Sequence, residues 1–193
     1  LSTAGEVYSI PELSTTATYK LAAGEWNMND NATFNQCAGI ATVKDATITI
    51  KGNNGKKLAI DLTNDGTLKI GGNNTLTVAS TITSTGVIEI EDGKILNFTT
   101  GSEASKLGGI VNVYEQLYTD IEGVTLAGTV NNYYIIGADA KDGVGFVNEK
   151  TINVMESAIA TYINDNSAAS ACINLNKRND EVVTTDSLKG KIV

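Results

Sequence analysis

Gly66-Thr67-Leu68-Lys69-Ile70-Gly71-Gly72-Asn73-Asn74-Thr75-Leu76-Thr77-Val78 is answered twenty residues later by Gly86-Val87-Ile88-Glu89-Ile90 and Ile95-Leu96-Asn97-Phe98. Within each stretch the apolar residues alternate, a period of two rather than 3.6, so the segments read as strands with one face inward. A shift of twenty places Ile48 over Leu68 over Ile88, Ile50 over Ile70 over Ile90, and Leu58 over Val78 over Phe98. It also sets Leu62 on Ile82, Leu76 on Leu96 and Thr63 on Thr83. Turn residues keep step: Gly52-Asn53-Asn54 falls on Gly72-Asn73-Asn74, and Gly66 on Gly86.

Each repeat holds three short strands, near 67–70, 75–78 and 81–83. No single coil of this kind buries its own inward face; the next coil must cover it and pair its backbone in parallel. The expected fold is therefore all-β: a single-stranded parallel β-helix (β-solenoid) of about 20–23 residues per coil, right-handed by the general rule for parallel crossovers. Asn53 over Asn73 is expected to form an amide ladder along the axis.

The repeat is strict from about Asp45 to Phe98 and looser on either side. Upstream, Gly24-Glu25-Trp26-Asn27-Met28 carries the same signature with a spacing of 22 from Trp26 to Ile48. Downstream come Gly109 to Val113, Tyr133 to Ile135 and Thr151 to Val154. One domain over 1–193 is expected, with an N-terminal cap over 1–23 that uses Val7, Ile10, Leu13 and Leu21, and coils over 24–154. The remainder, 155–193, reads as a short amphipathic helix followed by last strands around 172–175 and 181–185. The helix rests on Met155, Ile159, Tyr162 and Ile163 at i, i+4, i+7 and i+8.

Leu21 to Trp26 and Ala46-Thr47-Ile48-Thr49-Ile50-Lys51-Gly52, with the coils that follow, resemble the pectate-lyase-like right-handed parallel β-helix proteins. The nearer resemblance is to the non-enzymatic secreted and cell-surface members from bacteria. It spans about residues 20–154. Members of that family include polysaccharide lyases and hydrolases, adhesins and phage tailspikes, so membership leaves both binding and catalysis open.

Composition narrows the chemistry. The 193 residues contain no His, which removes Ser-His-Asp and Cys-His catalysis and His-containing metal sites. A net charge of −8 and a lone Arg, Arg178, leave nothing to neutralise phosphates, so nucleic acid is not an expected partner. No apolar run is long enough for a membrane-spanning helix. The chain opens on Leu1 without a Met or a signal-type n- and h-region, which reads as a trimmed mature protein or a designed one. Cys37 and Cys172 lie six or seven coils apart, roughly 30 Å at 4.8 Å per coil. Two buried thiols are expected and no disulfide.

Candidate sites follow from what remains. Gly52-Asn53-Asn54-Gly55-Lys56-Lys57 lacks the spacing and hydroxyl of a phosphate loop and reads as a turn. Carboxylates for glycosidic chemistry are Glu89, Glu91 and Asp92, or Asp61 and Asp65, though each set reads first as an ordinary solvated face or turn. Arg178 lies outside the repeat and matches no lyase motif. Asn64-Asp65, and Asp139 with Asp142, could hold calcium or serve as turn residues. The row Thr47 over Thr67 has the regularity of an ice-binding face, but Val87 and the Lys69–Glu89 row interrupt it.

Tyr114, Tyr118, Tyr133 and Tyr134 cluster in the less regular coils. They are either fillers of wider coils or faces for stacking on sugar rings or a protein partner. The expected function is a non-catalytic, secreted or cell-surface, adhesin-like module for a glycan or cell-surface protein, needing no cofactor and no metal. The alternative is a carbohydrate-active β-helix lyase or hydrolase. In either case a site belongs where the period breaks, between Gly101 and Gly145.

Overall fold

The computed structural model describes residues 15–27, 37–52, 57–72, 75–139, 141, 143–156, 158–165 and 168–175. The chain enters with β1 (Thr18–Lys20), β2 (Gly24–Asn27) and β3 (Gly39–Thr42). Six three-strand turns follow. The first is β4 (Thr47–Gly52), β5 (Lys57–Leu58) and β6 (Asp61–Asn64); the second is β7 (Thr67–Gly72), β8 (Thr75–Val78) and β9 (Ile82–Ser84). The third is β10 (Val87–Ile90), β11 (Ile95–Phe98) and β12 (Lys106–Leu107); the fourth is β13 (Ile110–Val113), β14 (Gln116–Thr119) and β15 (Thr125–Leu126). The fifth is β16 (Thr129–Asn132), β17 (Ile135–Ala138) and β18 (Phe146–Asn148); the sixth is β19 (Thr151–Val154), β20 (Ile159–Ala160) and β21 (Ile163–Asp165). A last strand, β22 (Cys172–Leu175), extends the stack beyond residue 154.

Three sheets result. Sheet A runs β1-β3-β6-β9-β12-β15-β18-β21, sheet B β2-β4-β7-β10-β13-β16-β19-β22, and sheet C β5-β8-β11-β14-β17-β20. Their ladders are parallel, as in a β-solenoid. The predicted register holds throughout the strict repeat: Ile48, Leu68 and Ile88 are paired in sheet B, Leu76 with Leu96 and Val78 with Phe98 in sheet C, and Leu62 with Ile82 in sheet A. These inward side chains are at most 1% exposed and form one apolar column inside the three sheets.

Along sheet B the inward column passes from Ile48 through Leu68, Ile88, Val111, Val130 and Ile152 to Ile173, in steps of 20, 20, 23, 19, 22 and 21 residues. The variation is confined to two of the three corners. From sheet A to sheet B equivalent positions are four apart in five successive turns (63 to 67, 83 to 87, 106 to 110, 125 to 129, 147 to 151). From B to C the spacing is eight in the second, third and sixth turns and six in the fourth and fifth; from C to A it is 8, 11, 9 and 12 in turns two to five.

The constant corner is built on Gly66, Gly86, Gly109 and Gly128. Each carbonyl accepts the next coil's N–H, as from Val87 to Gly66 (2.8 Å) and from Thr129 to Gly109 (2.8 Å). A Cβ on Gly86 would stand 2.1 Å from the Gly66 carbonyl oxygen, so only Gly allows the backbones to approach this closely. Beside it, inside sheet A, Thr42, Asn64 and Ser84 form a buried polar ladder. Thr42 donates to Asn64 Oδ1, and Asn64 Nδ2 donates to Ser84 Oγ (3.0 Å) and to the Val87 carbonyl (2.9 Å). In the next two coils the same column is filled by Leu107 and Leu126.

Several expectations need correction. No helix occurs among the described residues: Met155 to Ile163 runs as a turn and the strands β20 and β21. The spacing of 155, 159 and 163 is even as well as helical, and pairing with Ile135 and Ile136 below selects the extended form. Ile159 then points outward, 52% exposed, while Tyr162 at φ 57° turns the chain so that Ile163 is buried. Trp26 registers on Ile50 rather than Ile48, so the first step is 24 residues, not 22. A shift of two keeps every side chain on its face, and alternation alone cannot detect it.

No disulfide joins Cys37 to Cys172, as expected, but both thiols are half-buried rather than buried. Within the expected cap, residues 18–20 form β1 on sheet A. Val7, Ile10, Leu13, the Asn53–Asn73 ladder, Arg178 and the strand expected at 181–185 lie outside the described residues, as do Asn54, Gly55 and Lys56. No described helix is long and apolar enough to cross a membrane.

Candidate functional site

Shortening of the B-to-C corner to six residues in the fourth and fifth turns brings Tyr114 and Tyr133 one above the other. Their rings stack with centroids 4.8 Å apart and planes at 13°. That distance matches the strand spacing, and each ring turns one face towards the other. Tyr134 follows directly, and the three are 41–46% exposed.

Tyr118 is placed differently. It stands on the outer face of sheet C, paired with Asn97 below and Gly137 above. Its ring edge, Cδ2 and Cε2, lies 3.5 and 3.6 Å from where a Cβ on Gly137 would be, ordinary van der Waals contact, so the ring packs beside Gly137 with room for no more than a methyl group between them. The phenol reaches one coil further and donates to Asp139 Oδ1 at 2.7 Å. That bond, with burial and the Asp139 charge, pushes the Tyr118 pKa up to about 12. Asp139 is itself held below the usual carboxylate range, by Lys141 (2.7 Å) first and by Tyr118 second. Tyr114, Tyr133 and Tyr134 thus belong to the B-to-C corner, and Tyr118 to the outer face of the adjoining sheet C.

Between them lies an uncharged surface. From β8 to β20 the outward residues of sheet C are Thr75 and Thr77, Ile95 and Asn97, Gln116 and Tyr118, Ile135 and Gly137, then Ile159. Asn97 Oδ1 is enclosed there and meets no hydrogen-bond donor.

The carboxylates singled out in the strict repeat are engaged in linking coils. Asp61 accepts the Thr81 N–H (2.9 Å) and Asp65 the Thr85 hydroxyl (2.8 Å). Glu89 and Glu91 both reach Lys69, at 2.9 and 3.4 Å, and hold its ammonium above its ordinary pKa, Glu89 most. Asp92 sits exposed in a turn. None of them converges on the tyrosines. The calcium candidates fare likewise: Asn64 is internal, Asp139 is bonded to Tyr118 and Lys141, and Asp142 lies outside the described residues. Among the described residues no trio of acids or cysteines is placed to hold a metal.

Two features escaped the sequence. A surface cavity of about 400 Å³ at the lengthened C-to-A corner is lined by Glu103, Glu122, Gly123, Gly143, Gly145 and Val147. Glu103 is held there by N–H groups of its own turn, including Gly101 (2.9 and 3.1 Å), which keep its carboxyl below the ordinary range. The second is an amide ladder on the outer face of sheet B. Asn131, Asn153 and Asn174 each donate to the Asn one coil below, beginning at Asn112, at 2.9–3.0 Å. Steps of 19, 22 and 21 residues hid it from any fixed-period comparison.

The class defined by these observations is an all-β parallel β-solenoid with short corners and aromatic and amide surfaces on two adjoining faces. Comparison with protein-family models, with curated proteins and with solved structures finds no match.

Proposed function

We propose that the chain is a non-catalytic module, secreted or on a bacterial cell surface, which uses a rigid stack to present a lateral face to a glycan or protein. This is the adhesin-like, non-enzymatic end of the right-handed β-helix proteins that its sequence resembles. The observation that carries the reading is the division of labour among side chains. Asp61, Asp65, Glu89 and Glu91 of the strict coils are held in coil-to-coil bonds, whereas Tyr114, Tyr133 and Tyr134 stay exposed on one corner.

One observation favours a second reading, a carbohydrate-active enzyme: the cavity that brings Glu103 and Glu122 to one corner. Two carboxylates flanking a sugar linkage are the minimum for glycoside hydrolysis. Incubating the protein with a panel of polysaccharides and assaying reducing ends separates the two. The module reading expects no release above blank. Release that disappears in Glu103→Gln and Glu122→Gln would establish the enzyme instead.

A further inference from the structure

We infer that the outer face of sheet C between β8 and β20 binds a neutral oligosaccharide chain, with Tyr118 as its stacking platform. This rests on the module reading and adds the ligand class and the face.

Size comes first. Five strands at about 4.8 Å, each about 13 Å wide over four residues, make a face of roughly 300 Å². A stable protein partner needs about 800 Å² on each side. The adjoining uncharged part of sheet B is turned away across a corner, so a rigid partner cannot cover both. An extended peptide recognised by strand addition needs a free sheet edge, whereas here the backbone of β11, β14 and β17 is already paired on both sides. A narrow chain lying on side chains fits the area.

Charge comes second. The nine outward residues from Thr75 to Ile159 include no acid and no base. A charged ligand would be desolvated there without a counter-charge. The chain's net charge of −8 adds repulsion against polyanions. A neutral sugar meets hydroxyls and amides it can bond, namely Thr75, Thr77, Asn97 and Gln116, together with apolar surface for its C–H faces.

Preorganisation comes third. Tyr118 sets its ring edge beside Gly137 one coil above, and its hydroxyl is pinned to Asp139. An aromatic surface fixed before the ligand arrives loses little freedom on binding. Tyr114 and Tyr133, which turn a face to each other, are less available for stacking.

The test uses the whole chain. An array of neutral and uronic-acid oligosaccharides identifies binders, and calorimetry on the tightest neutral one measures variants whose melting temperatures confirm folding. Binding to neutral members and not to uronic acids is expected. Tyr118→Ala should weaken it about tenfold or more, and Tyr118→Phe only a few-fold. Gly137→Val, which leaves the tyrosine but brings γ-methyl groups beyond the Cβ against its ring edge, should weaken it as Tyr118→Ala does; Tyr133→Ala should leave it within about twofold. Absence of any neutral binder, equal affinity for uronic acids, or full binding by both Tyr118→Ala and Gly137→Val overturns the proposal. Loss confined to Tyr133→Ala also overturns it while leaving the module reading intact; release of reducing ends would instead strike the module reading.

Discussion

Tyr118 is the residue whose environment is most distinct, and its titration reports on it directly. A phenol whose folded pKa lies above its unfolded value lends stability that is complete below about 10 and is lost as the pH rises through about 12. Tyr118 should form tyrosinate in a late step near pH 12 in an absorbance titration of the folded protein. Asp139→Asn should move that late step down towards 10. If the wild-type curve has no late step, the Tyr118–Asp139 bond is not formed in solution. Asp139 works in the opposite sense: its depressed carboxyl pKa lends stability above its unfolded value, lost as the pH falls through the lower folded one. A second residue-scale test concerns the close corner. Gly86→Ala places a methyl 2.1 Å from a backbone oxygen that cannot swing aside, and should cost about 3 kcal/mol in urea unfolding. The need for Gly at 66 and 86 was readable from their coincidence in the repeat. The position of Tyr118 over Gly137 was not, because it depends on a step of 19 residues that no fixed period reveals.

At the scale of strands, the regular elements were legible because burial and pairing demand the same alternation. Ile88 and Ile90 have one inward choice, and it is the one that stacks on Leu68 and Ile70. Legibility failed where two periods coincide. Ile159 and Ile163 satisfy a helix and a strand alike, and the decision came from Ile135 and Ile136 below, which a local reading does not see. It failed also at Trp26, where a displacement by two preserves every face. Links between strands differ in worth. Lys69 bridges Glu89 and Glu91 with a third of its side chain open to water, so Lys69→Met should change unfolding free energy by less than about 1 kcal/mol. A loss well above that would mean that the charged row, and not the apolar column behind it, holds these coils together.

For the whole molecule, the stack sets distances that covalent chemistry must respect. Cys37 precedes β3 and Cys172 opens β22, with six coils between them, about 29 Å along the axis. Denaturing the oxidised protein in the presence of iodoacetamide should therefore add two carbamidomethyl groups per chain by mass. A chain that takes up none would contradict the solenoid. The site was less legible than the fold at this scale. Tyr114, Tyr118, Tyr133 and Tyr134 could be singled out in the less regular coils, but which of them presents a face depends on corner lengths. The pairing of Glu103 with Glu122 likewise depends on the C-to-A corner, whose length changes from turn to turn.

The corner of constant length divides the circumference into a part that cannot be edited and a part that can. Four residues pass from sheet A to sheet B in each of five turns, four of them, at Gly66, Gly86, Gly109 and Gly128, under backbones too close for a methyl group, whereas the C-to-A corner already accommodates between 8 and 12. Foreign peptides grafted between Glu103 and Ala104 should be carried without loss of fold, and loops set into successive coils would project in a row at a pitch of about 4.8 Å. The same graft between Thr85 and Gly86 should abolish cooperative melting. In engineering terms, the protein is a ruled scaffold with one sealed seam and one open display edge.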